Sequence, residues 1–92
     1  MPEFHSAALS VIHNEAMPPG GGPALHRHPY EEVFLILEGE ATFTLGDETI
    51  VGRTGDFLVA PPGVPHAFTN TGTGVLRSVD VHASPTFSTE WL

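Results

Sequence analysis

Residues 26–37 read His26-Arg27-His28-Pro29-Tyr30-Glu31-Glu32-Val33-Phe34-Leu35-Ile36-Leu37, and two β signatures meet in them. His26 and His28 are separated by one residue, so on a strand of period two both rings point to the same face. Pro29 and Tyr30 break that strand, because proline fixes φ and has no N–H to give to a ladder. Glu32 then starts the neighbouring strand, returning its carboxylate toward the two rings, with Glu31 on the opposite face. Beyond it Val33, Leu35 and Leu37 share one face and Phe34 and Ile36 the other, the pattern of a strand covered on both sides. A partner subunit can supply one of those covers.

Outward from this stretch the same alternation continues. Gly46 and Asp47 form a tight-turn signal between the runs ending at Leu45 and starting at Thr49, which predicts a β-hairpin. Short apolar-polar runs punctuated by Gly, Pro, Asn and Asp predict strands over Ala8–Asn14, Ala24–His28, Glu32–Leu37, Ala41–Leu45, Glu48–Val51, Asp56–Val59, His66–Thr71 and Val75–His82. No segment sustains a helical period, and prolines from Pro18 to Pro85 interrupt the places where one would begin. Many short strands shield their edges by closing into a barrel or stacking as a jelly roll. The expected fold is therefore all-β, a single small β-barrel.

A chain of 92 residues builds one compact core, so a single domain over residues 1–92 is expected. The formal charge is −8, there is no lysine, and Arg27, Arg53 and Arg77 are the only permanent cations. Such a surface repels phosphate backbones and anionic membranes, which argues against nucleic acid or a membrane as partner. With no cysteine, neither disulfides nor thiolate metal sites are available, and any metal must be held by nitrogen and oxygen. The beginning of the chain lacks a basic segment followed by an apolar one, and no apolar run is long enough to cross a bilayer, so a cytoplasmic protein is expected.

Further along, Pro61-Pro62-Gly63-Val64-Pro65 makes a stiff connection that ends at His66, the first residue of another apolar strand. A lone His-x-His reads equally well as a chelate or as polar positions on a solvated strand face. His5, His13 and His82, taken singly, read as ordinary surface or hydrogen-bonded histidines. Three neutral imidazoles and a carboxylate, however, suit first-row divalent metals. On an octahedral ion they leave two adjacent positions for water, oxygen or substrate.

The span from Gly20 to Asn70 closely resembles the cupin superfamily. Gly20, His26, His28, Glu32 and Gly39 fill its first motif over residues 20–39, and Gly55, Pro61, Gly63, His66 and Asn70 fill its second over residues 55–70. The resemblance implies a double-stranded β-helix, a jelly-roll-like barrel, with His26, His28, Glu32 and His66 directed inward as ligands of one divalent transition metal per subunit. Mn, Fe, Co, Ni, Cu and Zn all fit such donors. Gly39 and Gly55 would open turns, and Asn70 would tie down backbone by hydrogen bonding. The resemblance also implies a homodimer. The C-terminal tail, residues 83–92, is similar to that of small cupins, and Phe87, Trp91 and Leu92 are expected to be buried against the barrel or a partner.

Because this barrel supports many activities, the site must decide the function. The leading expectation is a metal-dependent small-molecule enzyme, with dioxygenase-like chemistry favoured over isomerase or lyase chemistry. The alternative is a non-catalytic module that binds or senses a metal or small ligand. Phe34, Phe43, Phe57 and Phe68 are candidates for an apolar substrate wall, and His13, Arg77 and His82 for polar groups beside it. On the last strand Val75, Arg77, Val79 and Val81 alternate with Leu76, Ser78, Asp80 and His82, and neither set reads as cleanly interior.

Overall fold

The computed structural model describes residues 2–92, and among them every regular element is a β-strand. In chain order the strands are β1 (Glu3–His5), β2 (Ser10–Met17), β3 (His26–Arg27), β4 (Glu32–Glu38), β5 (Glu40–Leu45), β6 (Glu48–Arg53), β7 (Phe57–Ala60), β8 (His66–Asn70), β9 (Leu76–His82) and β10 (Glu90–Trp91). The all-β expectation holds, as does the hairpin, whose strands β5 and β6 pair from Glu40–Arg53 to Leu45–Glu48. β1 and β10 were not expected. The strand expected over Ala24–His28 shrinks to His26–Arg27, because Pro23 and Pro29 bracket it.

Two five-stranded antiparallel sheets face each other, ordered β1-β2-β9-β4-β7 and β10-β3-β8-β5-β6. One expectation is corrected here: β4 is not the neighbour of β3. The chain crosses from one sheet to the other through Pro29–Glu31, so the histidine pair and Glu32 approach the interior from opposite layers. Gly39 (φ 103°) and Gly55 (φ 89°) stand in the left-handed region that a side chain strains, as expected of turn glycines. Asn70 does tie down backbone, donating to the carbonyls of Met17 and Gly74 and accepting from the Gly72 N–H.

Strand register decides which residues face inward. Across the first sheet Ser10, His82, Glu32 and Ala60 form one transverse row and Ile12, Asp80, Phe34 and Leu58 the next. The alternate rows, Val11-Val81-Val33-Val59 and His13-Val79-Leu35-Phe57, therefore line the outer face. In the second sheet Trp91, His26, His66 and Leu45 share a row, followed inward by Phe68 and Phe43. The apolar core is Phe34, Ile36, Ala41, Phe43, Leu58, Ala60, Phe68 and Leu76.

Candidate metal centre

Among the described residues, ten buried side chains are polar or charged against eight that are apolar. Ordinary cores exclude polar groups unless each is partnered, so this balance marks one part of the interior as something other than a folding core. His26, His28, Glu32 and His66 converge there from both layers, all buried, with one donor atom from each within 4.8 Å of the others.

Each histidine is oriented by its far nitrogen. His26 Nδ1 donates to the Ala24 carbonyl at 2.7 Å, His28 Nδ1 to the Ser88 carbonyl at 2.8 Å, and His66 Nδ1 to the Val64 carbonyl at 3.1 Å. A carbonyl only accepts, so these contacts hold the proton on Nδ1 and leave the Nε2 lone pair free to point at the centre. His28 Nε2 lies 3.0 Å from Glu32 Oε1, yet it is buried without an aligned hydrogen-bond partner. A lone pair aimed at an ionised carboxylate in a dry interior is costly unless a proton or a cation stands between them. Three such lone pairs and one carboxylate are a donor set that a divalent cation satisfies.

His82 is held differently. Its Nδ1 lies 2.8 Å from the Tyr30 hydroxyl, which also accepts the Ser88 N–H; because the ionised Glu32 beside Nε2 can only accept, the hydroxyl donates to Nδ1. That leaves the His82 proton on Nε2, 3.3 Å from Glu32 Oε2. Its role is to hold the second oxygen of Glu32, so that Oε1 faces the three imidazoles. Tyr30 also stacks flat on His28, with ring centroids 4.9 Å apart.

Charges respond accordingly. Burial would raise the Glu32 pKa, but in the metal-free protein His28, His66 and His82 can each turn a protonated Nε2 toward it, which outweighs burial and keeps the carboxylate ionised well below the usual range. Burial lowers His26, only partly offset by the Ala24 carbonyl. For His28 burial acts in the same direction, but Glu32 and the Ser88 carbonyl more than compensate and raise it. Asp80 moves the other way: burial and the Glu32 charge push it up to about 7.

A cavity of about 440 Å³ opens beside these donors, lined by His26, His28, Glu32, Phe34, Phe68, Asp80 and His82 among others. Of the expected wall residues, Phe34 and Phe68 line it. Phe43 is buried in the apolar core, and Phe57 is 69% exposed on the outer face, opposite Leu35. His13 sits on the same outer face beside Val79, and Arg77 pairs with Glu38 at the surface. These three placements overturn the pocket roles expected for Phe57, His13 and Arg77. The one-residue offset of register turns each away from the cavity.

His82, expected either as an ordinary surface or hydrogen-bonded histidine or as a polar group beside the pocket, is buried, hydrogen-bonded to Tyr30 and lines the cavity. The row Leu76-Ser78-Asp80-His82 is wholly buried, and Asp80 and His82 in it line the cavity. Tyr30, Asp80 and the Ser88 carbonyl went unrecognised in the sequence. Alternation of Ser78, Asp80 and His82 was the available signal for the second, whereas no local pattern brings residue 88 back to residue 28. Phe87 does reach the cavity, as does Trp91, but Trp91 and Leu92 are 63% and 56% exposed, so this chain's own barrel does not bury them.

The family model described as Cupin domain matches residues 13–82. A conserved protein with a double-stranded β-helix domain from Klebsiella pneumoniae superposes with a TM-score of 0.82 at 25% identity, covering 95% of this chain and 76% of that one. The oxalate decarboxylase of Lactobacillus farciminis superposes with a TM-score of 0.77 at 27% identity, covering 91% of this chain and 26% of that enzyme. The HTH-type transcriptional regulator PuuR of Escherichia coli is 33% identical over 61 residues, which is 66% of this chain and 33% of the regulator. The chain spans 62% or less of the length of the curated relatives it matches.

Proposed function

The chain belongs to the cupin domain family, and from that premise we propose that it is a metal-dependent small-molecule enzyme, with one divalent transition metal held by His26, His28, Glu32 and His66. The observation that carries this reading is the set of three imidazoles whose Nδ1 protons are tied to carbonyls, leaving three Nε2 lone pairs and an ionised Glu32 around one point. A bound divalent ion supplies Lewis acidity toward oxygen groups of a substrate. The protein's own residues do the rest. Tyr30 and His82 fix the Glu32 carboxylate, Phe34 and Phe68 give the substrate an apolar wall, and the enclosing layers exclude water.

Dioxygenase-like chemistry is the finer proposal, ahead of isomerase or lyase chemistry. Elemental analysis of the purified protein tests the metal, with about one ion per chain expected. Oxygen uptake with catechol or enolisable carbonyl compounds then tests the subclass. A metal-free wild-type protein that also fails to take up added zinc, manganese or iron sinks the reading.

A second reading, a ligand-sensing module, is supported by the likeness to a transcriptional regulator. It predicts saturable binding of a small ligand without turnover. As to partners, the outer face of β7-β4-β9, with Phe57 and Val59 exposed and Val33, Leu35, Val79 and Val81 half-buried, suits pairing with a second copy. Light scattering tests that homodimer, and Val59→Glu is expected to yield monomers.

A further inference from the structure

We propose that Asp80 is the proton acceptor of this site, taking the hydroxyl proton of an enol- or phenol-type substrate bound in the cavity beside the four donors. The proposal rests on the enzymatic reading above and names the chemistry that the site performs on its ligand. In the step, the substrate O–H bond breaks and an O–H bond to Asp80 forms. The electron pair stays on the substrate oxygen, so no oxidant or co-reactant is consumed.

Three observations carry it. Asp80 is 7% exposed and its Oδ1 is buried with no hydrogen-bond partner, although carboxylate oxygens are seldom left unpaired in an interior. It lines the same cavity as His26, His28 and Glu32, on the inward row between Ile12 and Phe34, so its side chain belongs to the wall beside a ligand. The other buried ionisable groups lining the cavity are committed elsewhere, His26, His28 and Glu32 to the donor set and His82 to Glu32. His26 and His28 are held by carbonyls, and His82 lies between Tyr30 and Glu32. Its two cross-strand neighbours are apolar. In the metal-free protein burial, with the Glu32 charge, raises Asp80 to about 7 against the opposing pull of Ser78 and His66, and burial, the larger cause, does not depend on the ion.

The test uses zinc-loaded protein, so that no redox step follows, with catechol as the probe at about pH 8, where Asp80 starts ionised. Infrared difference spectra are recorded on adding catechol, and proton release is followed with an indicator in weak buffer. In the wild type a protonated-carboxyl stretch should appear, shift on ¹³C-aspartate labelling, and accompany little proton release. In Asp80→Asn the band should be absent and about one proton per bound catechol should reach solvent, with catechol binding weakened by about tenfold or more. Zinc content should be unchanged, and Asp80→Glu should restore the band.

A wild-type protein that binds zinc and catechol but gives no labelled carboxyl band, or that binds zinc but not catechol, overturns the role of Asp80. The wild-type band is read without any variant, so misfolding of Asp80→Asn would not rescue the idea. A wild-type protein that takes up none of zinc, manganese and iron removes the metal reading and this inference with it, and metal content distinguishes the two failures.

Discussion

Phe43 and Glu32 are equally buried, at 2% and 3% exposure, yet they sit in halves of one interior that are stabilised by different physics. Around Phe43 the rings of Phe34 and Phe68 pack at centroid distances of 5.1 Å each, and Ile36, Leu58 and Leu76 close the cluster without a polar atom to satisfy. Around Glu32 lie His28, His66 and His82, with a cavity open beside them. Phe34 is the seam, touching Phe43 and Phe68 on one side and His66, at 5.8 Å, on the other. The dry half holds the sheets together by apolar burial, so the other half is free to gather groups that hydrophobic packing would reject.

Breaking the polar half should have the largest functional effect and the smallest structural one. His26→Ala together with His28→Ala is expected to reduce bound metal from about one ion per chain to none by elemental analysis. Circular dichroism should keep the strand signal, because neither ring belongs to the apolar cluster. Full occupancy in that double variant would falsify the donor assignment.

The dry half should behave in reverse. Phe43→Ala is expected to cost about 3–5 kcal/mol in denaturant unfolding, through lost burial plus the cavity left behind. The molecules that remain folded should keep normal metal content, because Phe43 lines neither the donor cluster nor its cavity. A loss of metal in the folded fraction would mean that the two halves are coupled through Phe34 more tightly than their separate packing implies.

The two halves were also unequally legible in the sequence. Alternation exposed the apolar strands because burial on one face leaves a period-two trace, and Phe34, Phe43 and Phe68 were readable as inward candidates. Phe57 looked identical in pattern, but which row of β7 faces inward is set by its register against β4, a property of two strands together. The four donors were legible because His-x-His, a carboxylate after a proline break and a histidine after a stiff proline loop each leave a local mark. Tyr30 was not, and His82 was readable only as one candidate polar group among three: their contact spans 52 residues of sequence and depends on the cross-sheet row that sets His82 beside Glu32. The Ser88 carbonyl, which orients His28, lies in a tail whose return no local pattern announces.

Asp80 sharpens the comparison through pH. Its pKa is about 7 in the folded metal-free protein against an ordinary value of 3.8, so between these values the native state holds a proton that the unfolded chain has lost. The stability contribution is fully present below the unfolded value and is lost as pH rises through the folded one, by at most about 4 kcal/mol. Asp80→Asn lacks this loss. Its stability relative to wild type should therefore climb between about pH 4 and pH 8 in urea unfolding of the metal-free proteins. Parallel pH profiles would show that Asp80 finds a partner in solution and is not the strained group its unpaired oxygen indicates.

The smallest effect is expected at the tail, which serves the polar half without belonging to the core. Arg27 grips Glu90 through two hydrogen bonds, Nε to Oε2 at 3.0 Å and Nη2 to Oε1 at 2.9 Å, and this pins β10 along β3. Both side chains are largely exposed, at 41% and 60%, so solvent screening leaves the pair little influence on global stability. Arg27→Ala should leave the urea midpoint unchanged. It should, however, speed amide hydrogen exchange at Leu92, whose N–H donates to the Leu25 carbonyl, because local opening of an edge strand is governed by the few contacts that hold it. If exchange at Leu92 does not respond, β10 is held by Trp91 against the His26 ring, 4.9 Å away, and the polar half carries its own lid through stacking instead of charge.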